Sequence, residues 1–84
     1  HFDRAFIGMN GVDDGYYTTP DMEEGAVKRA ILETATQTYV LVDSATFGQT
    51  CFAKVAPLKR AIVITSQGHE LLQVIKEKTE VIEV

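Results

Sequence analysis

The 84-residue chain has no tryptophan, one cysteine and two prolines, and it carries 12 Asp and Glu against 8 Lys and Arg. Each shortage excludes something. The lone cysteine, Cys51, forms no disulfide within the chain, which fits a reducing compartment and a cytoplasmic protein. No His or Arg stands near it in sequence to stabilise a thiolate, so Cys51 reads as a small buried hydrophobe. His1 and His69 stand alone, and no His, Cys and carboxylate set has metal-ligand spacing; neither a metal nor a cofactor is expected. No apolar run approaches the ~20 residues that span a bilayer. The opening His1-Phe2-Asp3-Arg4 is not read as a signal peptide, and no membrane partner is expected.

The acidic balance bears on nucleic acid. The formal net charge is −4. Phosphate backbones are bound by Lys and Arg that neutralise them, so this chain is a poor DNA binder by itself. The tight basic pairs Lys28-Arg29 and Lys59-Arg60 read as solvated surface.

What is present is globular. Hydrophobic residues make up 45% and charged residues 24%, outside the range of disordered chains. The length allows one small domain, which buries roughly 60–65% of its unfolded surface and so has a thin core.

Ala5-Phe6-Ile7-Gly8 reads as a buried strand that enters a loop, Gly8 to Gly15; Tyr16-Tyr17-Thr18 is extended. Thr19-Pro20-Asp21-Met22-Glu23-Glu24 is a helix start, with Thr19 as cap and Pro20 at the first helical position. Met22, Ala26, Val27, Ala30, Ile31 and Ala35 paint the expected buried face, and the helix ends near Thr36 to Thr38. Glu24 and Lys28 make an i,i+4 pair; Arg29 and Glu33 have the reverse order. Tyr39-Val40-Leu41-Val42 and Ala61-Ile62-Val63-Ile64-Thr65 are continuous apolar runs, as expected of parallel strands buried on both faces. Phe52 to Leu58 reads as a short helix or turn. Leu71, Leu72, Val74 and Ile75 mark a short helix ending near Lys78, and Val81-Ile82-Glu83-Val84 closes as an edge strand. The fold class is therefore α/β, with a mostly parallel sheet and flanking helices.

In open α/β sheets ligands bind beyond the carboxyl ends of the strands. That rule selects Gly8 to Gly15, Asp43 to Gly48, and Thr65 to Gly68, all rich in glycine, hydroxyls and carboxylates. Such loops suit a hydroxylated ligand. They equally suit bare structure: Asn10-Gly11 as a turn, Asp43 as a cap, Lys28 as the partner of Glu24. The glycine loop has neither P-loop nor dinucleotide-binding spacing, and no nucleophile motif is present.

Three blocks carry a resemblance. They are Asp3-Arg4-Ala5-Phe6-Ile7-Gly8-Met9-Asn10-Gly11-Val12; Gly15 through Thr19 followed by Glu23-Glu24-Gly25-Ala26-Val27-Lys28-Arg29-Ala30; and Asp43-Ser44-Ala45-Thr46-Phe47-Gly48 with Phe52-Ala53-Lys54-Val55-Ala56-Pro57-Leu58. In that order they resemble the effector domain of DeoR-family bacterial repressors, and within that family the lactose phosphotransferase-system group. The resemblance implies a domain similar to ribose-5-phosphate isomerases. It also implies a phosphorylated sugar as effector, tagatose 6-phosphate for the lactose group. DNA contact would come only through a helix-turn-helix outside these 84 residues. Residues 1–84 would be the C-terminal part of the sensor domain, its first half and phosphate-binding loop lying elsewhere.

By the same likeness Asn10, Gly11, Lys28, Asp43 and Thr46 border the effector site. Thr46, with Ala45 beside it, departs from the family's Asp-Ser-Ser-Lys-Phe-Gly, so a positive charge toward an anionic ligand is missing there.

The competing reading is an isomerase. Isomerases of this type carry Asp-Gly-Ala-Asp-Glu where this chain has Asn10-Gly11-Val12-Asp13-Asp14. Aldose–ketose exchange needs a base and an acid in reach of adjacent carbons, and Asn10 cannot take a proton. A non-enzymatic regulator is expected. An oligomerisation module is the third reading. Strands apolar on both sides with only two helices to cover them predict self-association or an exposed apolar patch.

Overall fold

The apolar runs pair side by side in parallel, as their lack of alternation predicts. In the computed structural model, which describes residues 2–66 and 68–84, the large sheet contains β1 (Phe2–Gly8), β4 (Ala35–Val42), β6 (Ile62–Thr65) and β7 (Val81–Glu83), in the order β1-β4-β6-β7. Every pairing in it is parallel. A second, antiparallel sheet of β2 (Gly11–Val12), β3 (Tyr16–Thr19) and β5 (Ala53–Pro57) has the order β2-β3-β5. The helices are α1 (Met22–Thr34) and α2 (Leu72–Lys78), and a 3-10 turn, Leu58–Arg60, follows β5.

Several expectations need correction. The stretch from Phe52 to Leu58 is the strand β5, not a helix or turn. Proline ends it at Pro57 on an outer strand, where a missing N–H costs no ladder bond. The helix cap is Asp21, whose carboxylate accepts from the Glu23 amide, while Thr19 belongs to β3. The helix stops at Thr34, and β4 begins at Ala35.

The buried face of α1 is also not the one the alanines suggest. Met22, Ala26, Val27 and Ala30 are exposed, and the helix packs through Gly25 and Leu32. Gly25 sets this phase by close approach. A Cβ there would lie 3.2 Å from Thr19 Cγ2 and 3.6 Å from the Ala53 Cβ. Nor does Arg29 pair with Glu33. It donates to the carbonyls of Val55 at 3.1 Å and Lys54 at 2.6 Å, covering part of an outer strand.

A further correction concerns cover. Alternate residues of the large sheet meet different surroundings. Val40 and Val63 are fully buried in a core shared with Val12, Tyr17, Leu32, Leu58 and Ile75. The other face carries Phe6, Tyr39, Leu41, Ile62, Ile64 and Ile82, aligned by register. There Phe6 is 60% and Leu41 47% exposed. Phe6 and Tyr39 stack with ring centroids 5.0 Å apart. The strands are thus buried on one face only, and the exposed apolar patch expected beside them is present.

Two ties hold the small sheet to the large one. The Tyr17 hydroxyl, buried, donates to the carbonyls of Leu58 at 2.9 Å and Ala61 at 3.1 Å. Burial pushes this phenol well above its ordinary value, the Thr79 hydroxyl acting in the opposite sense. At the other end, the Val12 amide donates to Thr46 O at 3.1 Å and the Gly48 amide to Val12 O at 2.8 Å. Gly48 supplies the positive φ, 83°, which that return requires. Gly11 lies beside this clasp, where a Cβ would fall 2.4 Å from Thr18 Oγ1 and 2.5 Å from Gln49 O. Gly11→Ala is therefore expected to destabilise the fold by about 1–3 kcal/mol through overpacking, measured by urea unfolding. An unchanged midpoint would contradict this packing.

Candidate functional site

The carboxyl ends of β1 and β4 lie side by side, because Gly8 pairs with Leu41 in the parallel register. Two residues beyond each come Asn10 and Asp43. The Val12–Thr46 and Gly48–Val12 hydrogen bonds, with the bridge from Val12 to Phe47, then fasten the two loops together. The first two loops selected from sequence therefore do meet. The third is tied to the second by His69, whose ring stacks on Phe47 at 5.2 Å. His69 Nδ1 accepts from the Leu71 amide at 3.1 Å and helps start α2.

The five residues singled out in the sequence fall into two pairs with Gly11 between them. Asn10 and Lys28 form the first pair. Asn10 Oδ1 accepts from Lys28 Nζ at 3.5 Å and from the Thr19 hydroxyl at 3.0 Å. Lysine has no acceptor to offer, so the Asn10 oxygen faces it and the Asn10 amide NH2 is the group left to donate elsewhere. Lys28 Nζ also lies 3.4 Å from Glu24 Oε1, and its side chain is only 15% exposed. That corrects the reading of Lys28-Arg29 as a solvated pair. Lys28 is held over the end of β1 by an amide and a carboxylate, while Arg29 is spent on β5.

Asp43 and Thr46 form the second pair. Asp43 Oδ1 accepts from the amides of Ala45 and Thr46, each at 3.1 Å, and from the Thr46 hydroxyl at 3.0 Å. This is a capped turn, and it presents Asp43 at an exposed position. The Thr46 side chain points back into the turn. Gly11 is buried and offers no room for a side chain. It lets the chain pass between the pairs.

Asp13, the remaining carboxylate of the isomerase comparison, is fully engaged. Its Oδ1 accepts from the amides of Gly15 and Tyr16, each at 2.8 Å, and its Oδ2 from the Thr50 hydroxyl at 2.8 Å. Burial acts to raise this carboxyl. Those hydrogen bonds and the Lys54 charge outweigh it and hold Asp13 below the usual carboxylate value. Asp14 is exposed, and its backbone carbonyl accepts from Lys78 Nζ. Among the described residues, no group of three or more His, Cys, Asp or Glu is placed to hold a metal ion. Among the described residues no helix is long and apolar enough to cross a membrane. Cys51 is a half-buried free thiol whose amide donates to the Thr18 hydroxyl at 2.9 Å.

Sequence reasoning missed Thr19, Glu24 and Val12 as parts of this arrangement. Glu24 was legible as the i,i+4 partner of Lys28. Thr19 was hidden because a threonine before a proline reads as a helix cap. Val12 acts through its backbone, which no side-chain pattern reveals.

Comparison with known proteins finds relatives among bacterial transcriptional regulators. The chain is 38% identical over 71 residues to an uncharacterized HTH-type transcriptional regulator, FruR, of Bacillus subtilis, covering 83% of this chain and 28% of that protein. It is 29% identical over 79 residues to the lactose phosphotransferase system repressor of Staphylococcus epidermidis, covering 94% of this chain and 31% of that protein. It is 36% identical over 58 residues to the HTH-type transcriptional repressor GlcR of Bacillus subtilis, 69% of this chain and 22% of that protein. The chain thus spans a third or less of the length of these relatives. The sequence profile of the DeoR C terminal sensor domain matches residues 1–67, and the chain belongs to that family.

Proposed function

We propose that this chain is the effector-sensing part of a cytoplasmic sugar-catabolism repressor, and that the loops at the ends of β1 and β4 border the site for a phosphorylated sugar. The observation that carries the reading is the largely buried Lys28 ammonium, held on Asn10 at a strand end beside the Asp43 turn. An ammonium held in place at a strand end attracts a phosphate. The Asn10 amide and the Asp43 carboxylate supply the donor and acceptor that sugar hydroxyls need. Gly11 and Thr46 shape the site, through close backbone approach and through the turn that sets Asp43. The names of the relatives support regulation of sugar uptake, and tagatose 6-phosphate is the first effector to test. DNA contact belongs to a helix-turn-helix elsewhere in the protein, residues 1–84 being the C-terminal part of the sensor. The likeness to ribose-5-phosphate isomerases belongs to the same reading.

Isothermal titration of the full-length protein with sugar phosphates is the test. Lys28→Ala and Asp43→Ala are each expected to weaken binding by about tenfold or more, as loss of a hydrogen bond to a charged group does. Unchanged affinity in both variants would refute this site.

The function is binding rather than catalysis. Asn10 is an amide where the isomerase motif has a carboxylate, and Asp13 has both oxygens occupied. No interconversion of aldose and ketose phosphates above buffer background is expected. Turnover abolished by Asp13→Asn or Asp14→Asn would overturn the regulator reading.

The bare face of the large sheet supports a homo-oligomer. Covering a fully exposed Leu or Phe contributes about 1.5–3 kcal/mol, and Phe6 and Leu41 stand open together with a row of half-buried isoleucines. Sedimentation of the 84-residue chain at tens of micromolar is expected to show self-association that Leu41→Lys reduces. A monomer for both would contradict it.

A further inference from the structure

A third strand end carries chemistry that the site described above leaves unused. Val42 of β4 pairs with Thr65 of β6, so the next residues, Asp43 and Ser66, leave the sheet side by side, about 5 Å apart by the usual strand spacing. An open cleft of about 330 Å³ lies between them. Leu41, Val42, Ile64 and Val84 form its apolar walls, and Asp43 and Ser66 its polar rim. The turn is built on one oxygen of the Asp43 carboxylate: the bonds from the Ala45 and Thr46 amides and the Thr46 hydroxyl all end on Oδ1, which leaves Oδ2 outside the turn.

We infer that Asp43 Oδ2 and the Ser66 hydroxyl form a subsite for the unphosphorylated, hydroxyl-bearing end of the sugar. This rests on the sugar-phosphate reading above and gives it a direction. An ionised carboxylate oxygen accepts hydrogen bonds from hydroxyls, and a polyol offers two on adjacent carbons. The same oxygen repels a phosphate, so the anionic end is driven away from it. The Lys28 ammonium stands over the neighbouring strand end, above β1, and takes that end. Ser66 both donates and accepts, which fits a second hydroxyl. Asn10, Asp43 and Ser66 thus read across three adjacent strands, β1, β4 and β6, with the Lys28 ammonium and its Glu24 partner at one side and the Asp43 carboxylate at the other.

The test uses the full-length protein, a panel of hexose phosphates that includes tagatose 6-phosphate, and inorganic phosphate on its own. Ser66→Ala removes one exposed hydroxyl that no hydrogen bond of the Asp43 turn uses. Asp43→Asn keeps the Oδ1 acceptor of the turn and replaces only Oδ2. Each variant is expected to weaken the best-bound sugar phosphate by about tenfold. The dissociation constant of inorganic phosphate, measured by direct titration, is expected to stay unchanged. Lys28→Gln is expected to do the reverse, weakening inorganic phosphate as well as the sugar phosphate. Unchanged sugar-phosphate affinity in Ser66→Ala and Asp43→Asn would overturn the subsite. So would an equal loss of inorganic phosphate binding in those two variants. If the unsubstituted protein bound no sugar phosphate of the panel, the functional reading and this inference would fall together.

Discussion

The arrangement depends on the backbone clasp at Val12. Its amide and carbonyl bond to Thr46 and Gly48, and this joins the loop after β1 to the loop after β4. Without it the parallel sheet would still set Gly8 beside Leu41, yet the two loops would diverge as soon as they left the ladder. The clasp demands small residues on both sides. Gly11 has no space for a Cβ, and Gly48 takes a left-handed backbone. Gly11 and Gly48 are therefore consequences of one close approach. Asn10 and Asp43, one on each side, inherit fixed positions from it.

The small antiparallel sheet explains why such a clasp is needed. Its strands β2 and β3 lie between β1 and β4 in sequence and β5 between β4 and β6, and it delivers Thr19 to Asn10 and seats α1 through Gly25. Helix α1 then presents Lys28 at the strand end, with Glu24 one turn earlier to hold it. The ammonium is positioned by three elements at once: its helix, the loop of Asn10, and β3 through Thr19. Tyr17 anchors the opposite end of that sheet to the turn after β5. A buried hydroxyl deprived of those carbonyls would leave them unsatisfied, at about 1–3 kcal/mol.

The parallel strands were legible because Tyr39 to Val42 and Ala61 to Thr65 are unbroken apolar runs. The same feature misled about their cover. A run that is apolar on both sides says that both faces want burial, not that both have it, and Phe6 and Leu41 remain open. Strand β5 was not legible, since Ala53 to Pro57 is short and alternates weakly, and its partner β3 lies more than thirty residues away. The face of α1 was misread because alanines fit several helical phases, and a glycine, invisible to hydrophobic counting, chose among them. That Asn10 and Lys28 border one site came from a family likeness rather than from spacing, and Ser66 carried no signal beyond its place at a strand end.

The central claim is that the ends of β1, β4 and β6 form one ligand site organised by the clasp. Hydrogen–deuterium exchange of the full-length protein, with and without a bound sugar phosphate, tests it most directly. Ligand is expected to slow exchange in segments 8–15, 43–48 and 65–66 together, and to leave 58–60 and 76–78 unchanged. Protection confined to the Lys59 and Lys78 cleft at the far end of the small sheet, with the three strand-end loops unaffected, would contradict the account.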